Sequence, residues 1–384
     1  VTVTTPAGFR AAGVTAGLKP SGNPDLALVV NDGTLDAAAA VFTTNRIEAA
    51  PVTWSRQAVS DGRLRAVVLN SGGANACTGP EGFADTHTTA EHAAAVLGLS
   101  ASDVGVCSTG LIGLRLPMDK LLPGIDAAAA ALAADGGSAA ADAIRTTDTV
   151  AKTTAITTPH GWSVGGMAKG AGMLAPALAT MLVVLTTDAV VDAPALDKAL
   201  REACRLTFAR VDSDGCLSTN DTVILLASGA SGTSPSDDDL AAAVHAACLD
   251  LAQQLLADAE GSGHDIRVDV VGAASEDDAL LVARAVARSN LLKCAIHGRD
   301  ANWGRVLAAA GTTEALFDPH AIDVAMNGVW VCKAAGVGES RDGVDLTGRD
   351  VTITVDLHAG DASAWIWTND LTEAYVHENS AYST

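Results

Sequence analysis

The stretch Gly165–Thr187, GGMAKGAGMLAPALATMLVVLTT, constrains this chain more than any other. Glycines and one proline impose an irregular approach, small residues follow, and the apolar run Met181–Leu185 then reads as a buried strand. Thr180 therefore stands at the mouth of a strand, where a scaffold holds a side chain rigidly beside a loop-built cavity. A threonine hydroxyl is a weak nucleophile and needs a base. If the Ala179–Thr180 bond is cut, Thr180 gains a free amine that serves as base for its own hydroxyl. The plainer alternative is a threonine that only opens a strand.

The same grammar of strand followed by glycines recurs upstream. Ala66–Asn70, AVVLN, runs into Ser71-Gly72-Gly73, and Val104–Ser108, VGVCS, runs into Thr109-Gly110. Glycines at the carboxyl end of a strand are a usual place for a ligand loop. Residues 1–60 alternate short apolar runs with turn signals and are predicted to be strands of an antiparallel layer. Helical periodicity is predicted over 84–97, 117–134, 139–146, 193–209, 237 to about 259, and 276–289. A hairpin turns at Pro159–Gly161, and further strands fall at 222–226, Ile266–Gly272, Val351–Leu357 and Ala362–Thr368. The linker-like Ser228–Asp239 reads as a surface loop with a helix start. Strands and helices mix throughout, with hairpins prominent and no internal repeat. This predicts an α/β layered sandwich with mixed sheets rather than a doubly wound parallel sheet.

Charge and cysteine usage exclude several functions. With 45 acidic against 24 basic residues the net charge is -21, which opposes binding to nucleic acid or an anionic membrane. Cys77, Cys107, Cys204, Cys216, Cys248, Cys294 and Cys332 are scattered without a C-x-x-C pair, so reduced thiols and a cytoplasmic location are expected. No apolar run of about 18 residues is read, nor a basic segment followed by an apolar one at the start, so no membrane span or signal peptide is expected. The chain begins at Val1 without Met, and native residues are expected ahead of it. GGMAKGAG lacks the ending of a phosphate loop, and His87 and His92 are not spaced to share a helix face as zinc ligands do. No metal, nucleotide or flavin cofactor is expected.

Three further positions invite a chemical reading. Thr109 and Gly110 offer a hydroxyl and a closely approachable backbone N–H, the two donors that a tetrahedral oxyanion needs; an ordinary strand-end turn is the alternative. Lys169, in the glycine-rich approach to Thr180, can pair with a substrate carboxylate, where the alternative is a solvated surface amine.

The motifs NSGGANACTG (Asn70–Gly79), CSTGLIG (Cys107–Gly113), TTD (Thr146–Asp148), the block Lys169–Leu182, STNDT (Ser218–Thr222), AEG (Ala259–Gly261), NWGR (Asn302–Arg305) and the terminal ENSAYST run from the first quarter of the chain to its end. In order and spacing the chain resembles the ornithine acetyltransferase (glutamate N-acetyltransferase) family of arginine biosynthesis. The resemblance implies a layered, N-terminal-nucleophile-like α/β fold of two intimately packed parts. It also implies self-cleavage between Ala179 and Thr180 into an α chain of 1–179 and a β chain of 180–384, which assemble as a heterotetramer of two α and two β chains.

Thr180 would take acetyl from N2-acetyl-ornithine and pass it to glutamate, with Thr109 and Gly110 as the oxyanion hole. The family's substrate contacts fall on Thr146, Lys169, Glu260, Asn379 and Thr384. Its ligand carries a carboxylate and a side-chain ammonium, so a cationic and an anionic group are needed, and Lys169 and Glu260 answer to these. By itself Glu260 would be a solvated residue closing the long helix before Gly261.

Some members also accept acetyl-CoA as acetyl donor. The chain departs from the family at Ser262-Gly263-His264, where His264 stands in place of a usual lysine. A specialised paralogue in a secondary pathway is therefore an alternative, beside an N-terminal-nucleophile amidase or aminopeptidase that discharges the same acyl-enzyme to water, and a non-catalytic binder of acylated amino acids.

Overall fold

The computed structural model describes residues 1–173 and 181–381. By internal contacts the chain forms two compact units, one of residues 1–209 and 216–258, the other of residues 210–215 and 259 onward. In the first unit the elements are β1 (Phe9–Val14), β2 (Leu26–Asn31), β3 (Ala38–Phe42), α1 (Ala50–Ala58), β4 (Ala66–Asn70), α2 (Gly79–Leu97), β5 (Val104–Ser108), α3 (Met118–Ala130) and α4 (Gly137–Ala143). They continue with β6 (Lys152–Thr157), β7 (Ser163–Lys169), β8 (Leu182–Thr187), α5 (Ala193–Leu206), β9 (Thr222–Ala227) and α6 (Asp237–Ala257).

Alternation along the strands builds four layers from this unit. One sheet has the order β1-β2-β4-β5 and the other β3-β9-β8-β7-β6. On β2, Ala27 and Val29 face a core shared with Val67 and Leu69 of β4 and with Met167, Val184, Ile224 and Leu226 of the second sheet. The intervening Leu26, Leu28 and Val30 face the opposite way, against Ala90 and Ala93 of α2 and Leu121 and Ile125 of α3. The outer face of the second sheet is covered by α5 and α6. Both sheets are mixed: β4 pairs with β5 and β8 with β9 in parallel, while their other pairings are antiparallel.

α6 starts where Ser236 accepts the Asp239 N–H, with three aspartates in its first turn favouring the helix dipole. By length and mean composition alone α6 could cross a membrane, although His245, Asp250, Gln253 and Gln254 interrupt its apolar residues. Its apolar stripe, including Val244, Ala247, Leu251 and Leu255, is instead buried against its own unit.

The second unit contains β10 (Asp265–Ala273), α7 (Glu276–Ala287), α8 (Asn290–His297), α9 (Trp303–Ala310), β11 (Asp323–Met326), β12 (Val329–Lys333), β13 (Gly336–Val337), β14 (Asp350–Asp356), β15 (Ala362–Asn369) and α10 (Glu373–Ala381). Its single sheet runs β13-β12-β11-β14-β10-β15. Ile266, Val268 and Val270 of β10 and Val351, Ile353 and Val355 of β14 point to one face, against α7 and α9. On the opposite face Arg267 lies over the rings of Trp365 and Trp367.

The architecture is the mixed α/β layering expected, with local corrections. Residues 1–60 are not all strand: α1 intervenes, opened by a proline in its first turn and lacking a side-chain cap that would have marked its start. α3 ends at Ala130 because Ala133 turns its backbone to Ala11 of β1, each N–H donating to the other's carbonyl. α6 ends at Ala257, so Glu260 does not close it but lies in the turn beyond.

Candidate active site

Register brings the chemically interesting ends together within the first unit. Lys169, the last residue of β7, pairs with Leu182 at the start of β8, and Leu182 pairs with Thr222 at the start of β9. In the other sheet the carboxyl ends of β4 and β5 lie side by side, Asn70 opposite Ser108. Asn220 ties the two sheets there, its side-chain amide donating to the carbonyls of Ala74 at 2.6 Å and Ser108 at 2.8 Å.

Thr109 follows β5 and donates its backbone N–H to the Asn70 carbonyl at 3.0 Å. Gly110 next to it has φ 132°, and a Cβ there would stand 2.9 Å from both N and Cα of Gly73. Only glycine permits that approach of the two glycine turns. Among the described residues no acceptor takes the Gly110 N–H.

Lys169 is 1% exposed, which disposes of the solvated-amine alternative. Its ammonium donates to the Thr146 hydroxyl at 2.7 Å and the Thr109 hydroxyl at 3.2 Å. With a lone pair engaged by a cation, the Thr109 hydroxyl keeps its own proton for another acceptor, as an oxyanion donor must.

Asp148 holds this group in place. Its carboxylate accepts the backbone N–H groups of Gly170 at 2.6 Å and Thr146 at 3.0 Å, and an N–H of the Lys152 ammonium at 2.7 Å. Lys152, wholly buried, also donates to Asp258 at 2.6 Å. Burial pushes the Asp148 carboxyl up, but the Lys169 and Lys152 charges and the Gly170 N–H outweigh it and hold the pKa down at about 2. Asp221 is the opposite case. It is wholly buried, accepts the Met181 N–H at 3.0 Å, and burial drives its pKa well above the usual carboxylate value.

In the second unit Glu260 is half-buried and accepts from the Asn379 side-chain amide at 2.9 Å. It lines a cavity of about 240 Å³ together with Arg288, Lys293, Asp370 and Tyr375. His264 is 8% exposed, with Nδ1 2.8 Å from Asp370 and Nε2 3.2 Å from the Leu346 carbonyl, so both ring nitrogens are occupied within the protein. Ala179, Thr180 and Thr384 lie outside the described residues.

A family model described as the ArgJ family matches residues 10–384. A curated relative from Streptomyces coelicolor named arginine biosynthesis bifunctional protein ArgJ is 65% identical over 100% of both chains. One of the same name from Thermobifida fusca is 63% identical, again over 100% of each. The chain belongs to the ArgJ family. It is an acetyltransferase of arginine biosynthesis. A solved structure described as ornithine acetyltransferase complexed with ornithine, from Mycobacterium tuberculosis, is 58% identical, covers 47% of this chain and 96% of its own, and has a TM-score of 0.46.

For this ArgJ-family chain, residue reasoning points to Thr109, Gly110 and Lys169 and the resemblance adds Thr146; the structure gathers these four around groups to which neither reading gives a role, Asp148, Lys152, Asn220 and Asp221. A signal was present: each is a charged or amide side chain within or beside a TTD or STNDT motif abutting a buried strand, where polar groups are kept only with partners.

Proposed function

We propose that the protein cleaves itself between Ala179 and Thr180 and then moves acetyl from N2-acetyl-ornithine to glutamate through an acetyl-Thr180 ester. The observation that carries this reading is the buried Lys169 ammonium bridging the Thr109 and Thr146 hydroxyls beside Gly110. In scission the Thr180 hydroxyl oxygen bonds to the Ala179 carbonyl carbon, the C–N bond breaks, and the hydroxyl proton passes to the nitrogen. Water then hydrolyses the ester, leaving an Ala179 carboxylate and a free Thr180 amine.

In turnover that amine takes the hydroxyl proton as the oxygen attacks the acetyl carbonyl. The Thr109 hydroxyl and Gly110 N–H donate to the oxyanion, and ornithine leaves with the proton. The glutamate amine attacks the acetyl ester, and Thr180 recovers its hydroxyl. Lys169 and Thr146 bind substrate, the former through a carboxylate; the resemblance further assigns Glu260, Asn379 and Thr384 to substrate binding. Acetyl-CoA as a second donor, assembly as two α and two β chains, and a cytoplasmic location belong to the same proposal, which needs no cofactor.

Intact-mass measurement with and without N-acetyl-ornithine tests it. Two chains are expected, the 180–384 chain gaining one acetyl group with substrate. Thr180→Ala should remain one full-length chain without transfer; two chains from that variant would refute self-cleavage by this residue. Free acetate released at the same rate with and without glutamate would instead favour an amidase.

A further inference from the structure

Asp221 has one oxygen in use and one without a donor. Oδ1 accepts the Met181 N–H at 3.0 Å, while Oδ2 is buried and meets no hydrogen-bond donor among the described residues. The Ser218 hydroxyl and the Lys169 ammonium act on the carboxyl, neither bonded to Oδ2. A wholly buried carboxyl oxygen without a partner is costly and calls for a reason.

Covalent connection supplies one. The N–H that Oδ1 accepts belongs to the peptide joining Thr180 to Met181. Bond lengths alone keep the Thr180 nitrogen within roughly 4 Å of the Met181 nitrogen. The two oxygens of one carboxylate thus suit two nitrogens of successive residues.

The geometry points to Asp221 as the positioning residue of the nucleophile: Oδ1 anchors the Thr180–Met181 peptide, and Oδ2 is the acceptor for the amine that scission frees on Thr180. This rests on the reading of Thr180 as an N-terminal nucleophile. An N–H donated to Oδ2 fixes where the amine's lone pair points. The positive charge that develops when the amine takes the hydroxyl proton is stabilised by the carboxylate, much as a buried aspartate supports a catalytic imidazole. The proton moves only from hydroxyl to amine and later to the leaving group; Asp221 neither gains nor loses one over the cycle.

Before scission no amine exists, and burial favours the neutral carboxyl. After it, carboxyl and amine titrate as a coupled pair, and the amine is free to act as base only once the pair has lost its shared proton. The charged group acting on Asp221 is Lys169 at the end of β7; from the loop before β9 it is faced by Ser218, and its own carbonyl accepts the backbone N–H of Thr43.

Asp221→Asn keeps the oxygen that accepts from Met181 and removes the charge, so it separates anchoring from pairing. In cut Asp221→Asn enzyme kcat is expected to fall about 100-fold with KM for N-acetyl-ornithine little changed. The acid limb of the kcat profile should move to lower pH, because an amine deprived of a carboxylate loses its proton more readily. A folded Asp221→Asn chain that stays uncut overturns the assignment, because the pairing begins only after scission and the Met181 anchor survives in the variant. Wild-type kcat with an unmoved limb overturns it.

The wild type gives a second reading should the variant not fold. The Thr180 α-nitrogen, labelled with 15N in the cut enzyme, should titrate in two steps; a single step overturns the pairing. Wild-type protein that is never cut would sink the Thr180 reading itself, and cut wild type with an indifferent Asp221→Asn sinks only the role of Asp221.

Discussion

The Asp148 carboxylate accepts the backbone N–H of Gly170 at 2.6 Å, reaching across from the TTD motif to the end of β7. Because it also takes the N–H of Thr146, one carboxylate fixes the residues on both sides of the Lys169–Thr146 contact. Lys169 cannot place its ammonium on two hydroxyls unless both backbones are set, and Asp148 sets them. The cluster is a preorganised cationic site built from one loop and one strand end.

The first prediction concerns acid. Asp148 has its folded pKa at about 2, below the ordinary 3.8. A depressed carboxylate contributes stability that is present above the ordinary value and is lost as pH falls through the folded one; here the contribution is about 2 kcal/mol. Asp148→Asn should therefore destabilise the protein at neutral pH, by about 3–5 kcal/mol, since it leaves buried cations short of a partner. Urea midpoints taken from pH 7 downward check this. The gap between wild type and variant should narrow towards pH 2, and a constant gap would sink the assignment.

Thr109 carries the second. Its hydroxyl is engaged as an acceptor by Lys169 and is the side-chain donor proposed for the oxyanion. Thr109→Ala should lower kcat by about 10²–10³-fold, with a smaller effect on KM. Thr109→Ser keeps the hydroxyl and should stay within a few fold of wild type. Steady-state kinetics of acetyl transfer decide it: equal losses in both variants would assign the effect to packing of the Thr109 methyl group.

Much of this was legible in the sequence because the relevant residues announce themselves by pattern. Gly110 follows a short apolar strand, and its left-handed φ and contact with Gly73 are what such a glycine predicts. The alternation Leu26, Leu28, Val30 against Ala27, Val29 resolves into two different cores once both faces of the sheet are buried. What the sequence hid were partnerships across long separations. Nothing near Asp221 in the chain says that it bonds Met181, and nothing near His264 says that Asp370 and the Leu346 carbonyl occupy its ring. In the sequence His264 is a departure from a family pattern, which bears on substrate; its contacts are those of a buried structural histidine. α1 is silent in the sequence for a local reason, having no side-chain cap.

Asn220 carries the last prediction. Its side-chain amide is the donor for two buried carbonyls, Ala74 in the loop after β4 and Ser108 at the end of β5. The Ser108 carbonyl belongs to the peptide that leads into Thr109, so the bond that joins the sheets also fixes one proposed oxyanion donor. Asn220→Ala strips both acceptors of their partner, each costing about 1–3 kcal/mol when buried and unsatisfied. The variant should unfold at a clearly lower urea concentration. At temperatures where it remains fully folded, its kcat should still fall, because the turns carrying Gly73 and Gly110 are no longer pinned to the second sheet. Asn220→Asp should be no better, since a carboxylate would turn an acceptor towards each carbonyl. An Asn220→Ala enzyme with the wild-type midpoint and wild-type kcat would mean that the two sheets hold this end of the site without the amide.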